Sequence, residues 1–463
     1  FASGQHHRAA APVSTLPKTV AAETEEDAKA PLRSGFLREF VARGYLHQCT
    51  DLEHLDSLMS STRGVSAYLG FDATADSLHV GSLLQIMVLR LLQKHGHRPV
   101  VLIGGGTTKV GDPSGKDEAR KLLDDATVAA NARGISGIFE TFLDFSDDEK
   151  AIIVNNEDWL QSLGYVEFLR DYGAYFSVNR MLSFDSVKNR LAREQPLSFL
   201  EFNYMILQAY DFFELNRRLD VQLQLGGSDQ WGNIVSGVEL ARRVSNAKVV
   251  GLTAPLVTTS DGRKMGKTAD GAVWLDADKL APYDYWQFWR NVADDDVKRF
   301  LKFFTDLDVA DIDSLPFQEA PDINAAKRLL ADEATAMLHG TDVLPSIHAA
   351  VDALFSGGRG GDVDQLPHLA LTDADLRDDD GACISVVDLL LKLDFAKSKS
   401  EAKRLIQGGG ARIQDVKVDD IRALVSRATI QDDARNKLKV SSGKKKHAIV
   451  SLASPTTTTT SDE

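Results

Sequence analysis

The 463-residue chain reads as an α/β protein: a doubly wound parallel sheet with a helical insertion, then a helical domain and a small α+β module. Three observations predict this. Short apolar runs alternate with helical stretches, a glycine pair follows one of the strand-like runs directly, and a Gly-rich stretch marks a late boundary. Taken in order, Val65–Leu69 reads as a strand, Leu83 to Lys94 as a helix apolar on most sides, and Val100–Ile103 as a buried strand. A further strand-like run, Val221–Leu225, enters Gly226-Gly227; a helix-like stretch follows to Arg243, and Val249–Leu252 returns as a strand. Parallel strands wound with helices give a Rossmann-like body. Between its halves, about 157–211, the chain is rich in aromatic and charged residues and mainly helical, which reads as an insertion within one domain.

The boundaries that follow are a disordered leader at 1–35, the Rossmann-like domain at 36–258, a mostly helical region at 259–355 and a linker at 356–381. A last module occupies 382–452, and a threonine-rich tail 453–463. The linker rests on Ser356-Gly357-Gly358-Arg359-Gly360-Gly361. In the last module Val386, Leu389, Leu390 and Leu393 share a helical face, Ser398-Lys399-Ser400-Glu401 has the pattern of a capping box opening a second helix, and Ala411-Arg412-Ile413 reads as a strand.

Composition excludes several classes. At 43% hydrophobic and 26% charged, the chain carries too much apolar material for a disordered protein. No apolar run approaches the roughly 18 residues of a membrane span. Cys49 and Cys383 are the only cysteines, which excludes a disulfide framework and a multi-cysteine zinc site and suits a reducing compartment. The net charge of −14 is unevenly spread: from Gly381 onward there are 15 Lys and Arg against 10 Asp and Glu, whereas the rest carries 38 against 57. An acidic body with a basic appendage suits a phosphate-bearing partner. The first ten residues lack acids and include Arg8, which resembles the end of an organellar transit segment, although Glu23-Thr24-Glu25-Glu26-Asp27 is acidic. The expected place of work is the mitochondrial matrix, with a bacterial cytoplasm as the alternative.

Gly104-Gly105-Gly106 through Gly115-Lys116 invites a phosphate-loop reading that fails on spacing: Val110 stands where the first glycine should be, and Asp117 where Ser or Thr should be. A dinucleotide fingerprint started at Gly104 meets Lys109 instead of its last glycine. The run Tyr68-Leu69-Gly70-Phe71-Asp72-Ala73-Thr74-Ala75-Asp76-Ser77-Leu78-His79-Val80-Gly81-Ser82 lies directly between the first strand and a long helix. Here the chain resembles the class I aminoacyl-tRNA synthetases. His79-Val80-Gly81-Ser82 resembles their HIGH signature, and Lys264-Met265-Gly266-Lys267-Thr268, after Ser260-Asp261-Gly262-Arg263, resembles their KMSKS loop. Gly226-Gly227-Ser228-Asp229-Gln230-Trp231-Gly232-Asn233 and Asn203-Tyr204-Met205-Ile206-Leu207-Gln208-Ala209-Tyr210-Asp211 narrow the resemblance to tyrosyl-tRNA synthetases of the bacterial and organellar type. It covers about 36–452.

The resemblance implies activation of tyrosine by ATP, with magnesium arriving on the nucleotide and no protein-bound metal, then transfer to tRNA. Attack of a carboxylate on a phosphate needs donors and cations where negative charge grows. By resemblance Thr74 and His79, near a helix N-terminus that favours anions, meet the departing pyrophosphate. Lys264, Lys267 and Thr268 lie on a glycine-containing, mobile loop that closes over it, and Lys116 and Arg120 add further cations. Gly81 lets adenine approach closely; Gly70, Ser82, Gly226 and Asp229 complete the nucleotide site, Asp229 at the ribose. Tyr68 and Asp211 match the pair that satisfies the phenolic hydroxyl, one partner in each direction. A site built to bond a hydroxyl rejects the analogue lacking it. Asp112, Tyr204 and Gln208 hold the α-ammonium, Gln230 the carboxylate end, and Asp72 joins the tyrosine site.

Two positions depart from the family pattern. Ser82 replaces the second histidine of the signature, and Leu69 stands where the family often has a small or polar side chain near the ribose; both predict altered ATP affinity with catalysis retained. The last module resembles the RNA-binding domain named for the fourth protein of the small ribosomal subunit. Lys397, Lys399, Lys403 and Arg404 are its candidate tRNA contacts, with Lys444-Lys445-Lys446 further on. Family resemblance further implies a homodimer, with the insertion from about Glu157 to Arg193 at the interface. Two other functions are weighed against this one: a non-catalytic RNA-binding protein, disfavoured by the intact Lys264 and Lys267, and a tryptophan-specific relative, disfavoured by Tyr68 with Asp211 and by the last module.

Overall fold

Short stretches dense in apolar residues form the central strands of a six-stranded sheet whose order is β1-β6-β5-β2-β3-β4. The structure is a computed structural model and describes residues 31–61, 64–114, 123–268, 271–317, 320–355, 368–372, 375–376, 383–414, 416–431, 437–443 and 446–452. Most of the leader, Lys116, Arg120 and the tail lie outside the described residues.

The chain forms two compact units. The first takes in the residues up to Leu78, then Ser82–Thr258 and Asp308–Ala310. Helix α1 (Gly35–Ala42), capped by Ser34, is followed by β1 (Gln48–Cys49) and α2 (Leu52–Ser61). Then come β2 (Ser66–Phe71), α3 (Val80–Lys94), β3 (Arg98–Ile103), the one-turn α4 (Gly105–Thr108), α5 (Asp125–Phe142) and β4 (Ile152–Asn155). Four short helices follow: α6 (Glu157–Leu160), α7 (Tyr165–Asp171), α8 (Val178–Met181) and α9 (Asp185–Ala192). The long α10 (Phe199–Leu219) leads into β5 (Val221–Gly227), α11 (Trp231–Ser245) and β6 (Val250–Ala254).

Strands β2 to β6 are mutually parallel, and the two-residue β1 pairs antiparallel with β6. Successive residues of a strand face opposite sides, so Tyr68 and Phe71 of β2 report on both faces. The Tyr68 ring packs on Phe212 of α10 at 5.3 Å and the Phe71 ring on Phe139 of α5 at 4.7 Å. Both faces are covered by helices, as the doubly wound reading requires. From β2 the order runs to β3 and β4 on one side and to β5 and β6 on the other. The switch between β2 and β5 opens a crevice at the carboxyl ends of the strands, the place where open α/β sheets bind ligands.

Local corrections concern the edges. The β1 and β4 strands are absent from the sequence reading, and α3 begins at Val80, three residues before the apolar run. The insertion is helical as expected, but α10 also serves as the crossover into β5. Its start is fixed by a full capping box, Ser198 with Glu201, that the sequence reading passed over.

The second unit takes in His79–Gly81, Thr259–Leu307 and the residues from Asp311 on. It holds the short β7 (Lys267–Thr268) and β8 (Gly271–Ala272) pair, then α12 (Pro282–Arg290), α13 (Val297–Phe304), α14 (Val309–Ser314), α15 (Ala320–His339) and α16 (Leu344–Phe355). Buried Trp286, Trp289, Phe300 and Phe304 form much of the helical core. Farther on, β9 (His368–Leu371), β10 (Cys383–Ser385), α17 (Val386–Lys392), α18 (Lys399–Gln407), β11 (Ala411–Ile413), β12 (Val416–Lys417), β13 (Leu424–Ser426), α19 (Arg427–Gln431), β14 (Lys437–Ser442) and β15 (Lys446–Leu452) make the last module.

Two features of that module correct the sequence reading. Within the stretch read as linker, β9 pairs in parallel with β15 and buries Leu371, so the sheet begins before residue 382. At the start of α18, Ser398 accepts the Glu401 N–H, but the Glu401 carboxylate reaches back to the Lys397 N–H rather than that of Ser398, so only half of the capping box forms.

Candidate active site

Strand β2 ends at the switch point and carries Tyr68, whose side chain is buried against Phe212. The Tyr68 hydroxyl is fully enclosed and has no hydrogen-bond partner. Burial, and secondarily the charge of Asp211, push its pKa well above the usual tyrosine value, so it stays protonated and is available as a donor. Asp211 projects from the middle of α10 and is likewise buried. It accepts the Trp159 indole N–H at 2.7 Å and the Asn156 amide at 2.9 Å. Burial lifts its carboxyl to about 7 against the pull of these two donors, and the nearby carboxylates of Asp72 and Glu214 add to the lift. An unpartnered buried donor beside a buried acceptor costs free energy in the empty protein. A ligand hydroxyl supplies both missing partners.

Asn156 and Trp159 are functional residues that sequence reasoning missed. They sit at the turn between β4 and α6, where Asn156 spans two groups: its amide also donates to the Thr107 hydroxyl at 3.0 Å. Thr107 in turn donates to Asp72 at 2.9 Å, and the Tyr204 hydroxyl bonds both Asp72 oxygens at 3.2 Å. Gly104 stands beside this network, because a Cβ there would run into Asp72 and Thr107. The signal available in the sequence was only the cluster Asn155-Asn156-Glu157, which reads as a helix start.

A second polar chain joins the end of β5 to α10. Gln230 donates to Asp112 at 2.8 Å, and Asn233 donates to Gln208 at 3.0 Å and to Gln230 at 3.1 Å. Asp112 also accepts the Ser114 N–H at 2.9 Å. Gly226 and Gly227 carry β5 into the turn that bears Asp229 and Gln230; a Cβ on Gly226 would lie 2.9 Å from Ile234, and one on Gly227 2.8 Å from the Asp229 carboxylate. The structure thus brings together Tyr68 with Asp211, Asp72 with Tyr204, and Asp112 with Gln208 and Gln230. Thr74 and Gly70 are exposed, and Leu69 is buried on the face of β2 opposite Tyr68, outside the Tyr68 pocket.

The two short signatures meet within the second unit. His79 forms an antiparallel bridge with Trp274, and the Val80 N–H donates to the Val273 carbonyl at 2.9 Å. The Val273 N–H in turn reaches the Gly266 carbonyl at 3.1 Å. His79 Nδ1 accepts the Gly81 N–H at 3.0 Å, which leaves the proton of the neutral ring on Nε2. The first two amides of α3 are therefore taken, by Val273 and by His79. These are two of the four amides that the start of an α-helix leaves without a partner inside the helix. Gly81 also serves packing within this unit, since a Cβ there would meet the His79 ring and, at 3.0 Å, the Met265 carbonyl.

Gly266 has φ of 111°, a left-handed conformation, and a Cβ on it would lie 2.9 Å from the Gly81 nitrogen. Just before it, Gly262 closes a turn in which its N–H reaches the Thr259 carbonyl, and Ser260 is fastened to the Asp296 carboxylate by its N–H at 3.0 Å and its hydroxyl at 3.1 Å. Lys264 is exposed beyond this anchored base. Lys267 and Thr268 have their backbone in β7, with side chains outside the described residues, as are Lys116 and Arg120. In the last module Lys397, Lys399, Lys403 and Arg404 are exposed, and Lys399 pairs with Asp388 at 2.9 Å. Among the described residues no cluster of three or more His, Cys, Asp or Glu could hold a metal, and no helix is long and apolar enough to cross a membrane.

A nucleotide-dependent class I synthetase is the class that this sheet and these paired signatures define, and the family of tRNA synthetases class I (W and Y) matches residues 60–356. The tyrosine–tRNA ligase of Zymomonas mobilis is 56% identical over 419 residues, which is 90% of this chain and 98% of that one. The tyrosine–tRNA ligase of Rhodospirillum rubrum is 54% identical over the same shares. A C-terminally truncated mitochondrial tyrosyl-tRNA synthetase of Aspergillus nidulans superposes with a TM-score of 0.61 at 31% identity, covering 71% of this chain and 96% of its own. The chain belongs to this class I family, in its tyrosine–tRNA ligase branch.

Proposed function

We propose that the chain activates tyrosine with ATP to tyrosyl-adenylate and transfers the tyrosyl group to its tRNA. The observation that carries this reading is the enclosed, unpartnered Tyr68 hydroxyl beside the Asp211 carboxyl. One group donates and the other accepts, which matches a phenol and leaves phenylalanine with both bonds unmade.

Tyrosine enters with its hydroxyl between Tyr68 and Asp211. Asp72, Asp112, Tyr204 and Gln208 present oxygens to the α-ammonium, and Gln230 turns its amide toward the carboxylate end. A carboxylate oxygen then bonds to the α-phosphorus of ATP as the bond from that phosphorus to the bridging oxygen breaks, and pyrophosphate departs. Charge grows on the pyrophosphate oxygens, where donors and cations have most effect. His79 Nε2, Thr74, Lys264, Lys267 and Thr268 meet it, with Lys116 and Arg120. Gly70, Gly81, Ser82, Gly226 and Asp229 hold the adenosine, and magnesium comes with ATP as part of the substrate. Lys397, Lys399, Lys403 and Arg404 contact tRNA phosphates.

The insertion supports a homodimer. Of the 11 large apolar residues that are exposed among the described residues, eight lie between Tyr165 and Leu200, with Val166 at 70% and Phe199 at 68% exposure. Exposed apolar side chains concentrated in one stretch of the chain suit an interaction surface, and a monomer in sedimentation at micromolar concentration would overturn this assignment. The two tyrosine–tRNA ligases named above come from bacteria, which supports the cytoplasm alternative; the mitochondrial expectation is supported by the composition of the leader and by the likeness to the Aspergillus mitochondrial enzyme.

The test of the activity is exchange of labelled pyrophosphate into ATP. Tyrosine should drive exchange efficiently, phenylalanine only at a far lower kcat/KM, and tryptophan not at all. Exchange driven equally by phenylalanine would remove the Tyr68 and Asp211 assignment, and no exchange from folded protein that still binds RNA would favour the non-catalytic alternative.

A further inference from the structure

Trp159 holds Asp211 from α6, a helix of a single turn. The N-cap residue Asn156 does not cap it, because its side-chain oxygen accepts the Gly106 N–H while its amide donates to Asp211 and Thr107; the Glu157 N–H is taken by the Asn155 side chain instead. One side of the indole is packed in the core with Tyr210, Phe213 and Leu215. Over the ring lies Arg218 of α10, its guanidinium carbon 5.3 Å from the ring centroid. A cation over an indole face is attracted by the ring quadrupole.

The guanidinium is itself fixed. Asp211, Glu214 and Arg218 recur at three- and four-residue spacing and so share one face of α10. Glu214 is 4% exposed, and Arg218 reaches its Oε1 through Nε at 2.7 Å and Nη2 at 2.6 Å. Arg217 grips the same carboxylate from a different angle, through Nε at 2.9 Å and Nη2 at 2.7 Å. Two arginines thus share the buried Glu214, and the bonds from Arg218 to it hold the guanidinium at the Trp159 ring although the side chain is 42% exposed.

We propose that Arg218 is a positioning residue for tyrosine selection: anchored by Glu214, it clamps the Trp159 ring so that the indole N–H stays on Asp211. This rests on the proposed tyrosine activation and adds a residue that touches neither substrate. Loss of the clamp lets the indole turn, weakens a 2.7 Å bond to the buried carboxylate, and frees Asp211 to leave the orientation in which it accepts the substrate hydroxyl. Catalysis on the phosphates is untouched, so the effect falls on tyrosine KM and not on kcat.

The experiment measures pyrophosphate exchange for the full chain and three variants, with tyrosine and with phenylalanine. Arg218→Ala should raise the KM for tyrosine roughly tenfold, keep kcat, and leave kcat/KM for phenylalanine unchanged. Arg218→Lys, which keeps a cation over the ring, should restore most of the difference. Arg217→Ala, which leaves Glu214 paired with Arg218, should resemble the unsubstituted chain. Unchanged tyrosine KM in Arg218→Ala overturns the inference, as does equal damage from Arg217→Ala, which would assign the effect to the charge of Glu214. A parallel loss for both amino acids would reduce Arg218 to a structural residue. Absence of exchange from the unsubstituted chain would remove the activity reading and this inference with it, a result distinct from normal exchange with indifferent variants.

Discussion

Burial lifts the Asp211 carboxyl to about 7, so near neutral pH it carries part of a charge in the buried site that the substrate hydroxyl is proposed to enter. A folded value above the unfolded one of 3.8 stabilises the fold below pH 4, and that contribution is lost as the pH rises through 7. The full difference is worth roughly 4 kcal/mol. Asp211→Asn removes the titration, so it should gain stability over the unsubstituted chain at pH 8 and little at pH 5, while losing discrimination between tyrosine and phenylalanine. Urea denaturation of both proteins at the two pH values measures this; a stability gap independent of pH would mean that Asp211 does not titrate in this range. Tyr68 and Asp211 were legible in the sequence because each lies in a recognisable run. Asn156 and Trp159 were not, because their role comes from a fold that brings β4 and α10 together across 55 residues.

Helix α3 and the loop before β7 show how two elements make one device. The first two amides of α3 are bonded by His79 and Val273, and the glycine that allows this closeness, Gly266, is 185 residues from Gly81 in sequence but packs against its nitrogen. Gly266→Ala places a Cβ in a left-handed backbone position and against the Gly81 N, so the loop must shift relative to His79. Displacing catalytic groups by about 1 Å costs up to roughly 100-fold in rate. We expect Gly266→Ala to lower kcat for exchange by roughly 10- to 100-fold with tyrosine KM preserved; a normal kcat would show that Lys264 and Lys267 do not depend on this packing. The central strands were legible for an equally physical reason: β2, β3, β5 and β6 are buried on both faces and so are dense in apolar residues, Val100–Ile103 as a continuous run and β5 as Val221, Leu223 and Leu225 alternating with two glutamines. The two-residue β1 and the late β9 offer no such signal, and β9 is hidden behind a glycine-rich stretch that composition assigns to a linker, whereas β4 carries an apolar run, Ala151-Ile152-Ile153-Val154, that the sequence reading passed over.

Across the whole molecule, charge is divided by task. The residues before Gly381 carry 57 acids against 38 bases, a field that repels a polyanion, and the proposed tRNA contacts fall in the basic last module. Within that module the contributions differ. Lys399 is already paired with Asp388, whereas Lys403 and Arg404 stand exposed on the same helix. A cation that neutralises a phosphate releases a counterion, and its removal lowers the slope of log affinity against log salt by about one. Lys403→Ala and Arg404→Ala should therefore each reduce that slope by about one and weaken tRNA binding most at low salt, with a smaller change for Lys399→Ala. Pyrophosphate exchange with tyrosine, which involves no tRNA, should be unchanged in all three. Binding titrations of the tRNA at several salt concentrations measure the slope. An unaltered slope would place the phosphate contacts on another surface, and a simultaneous loss of exchange would mean that α18 supports the fold of the catalytic body rather than the capture of RNA.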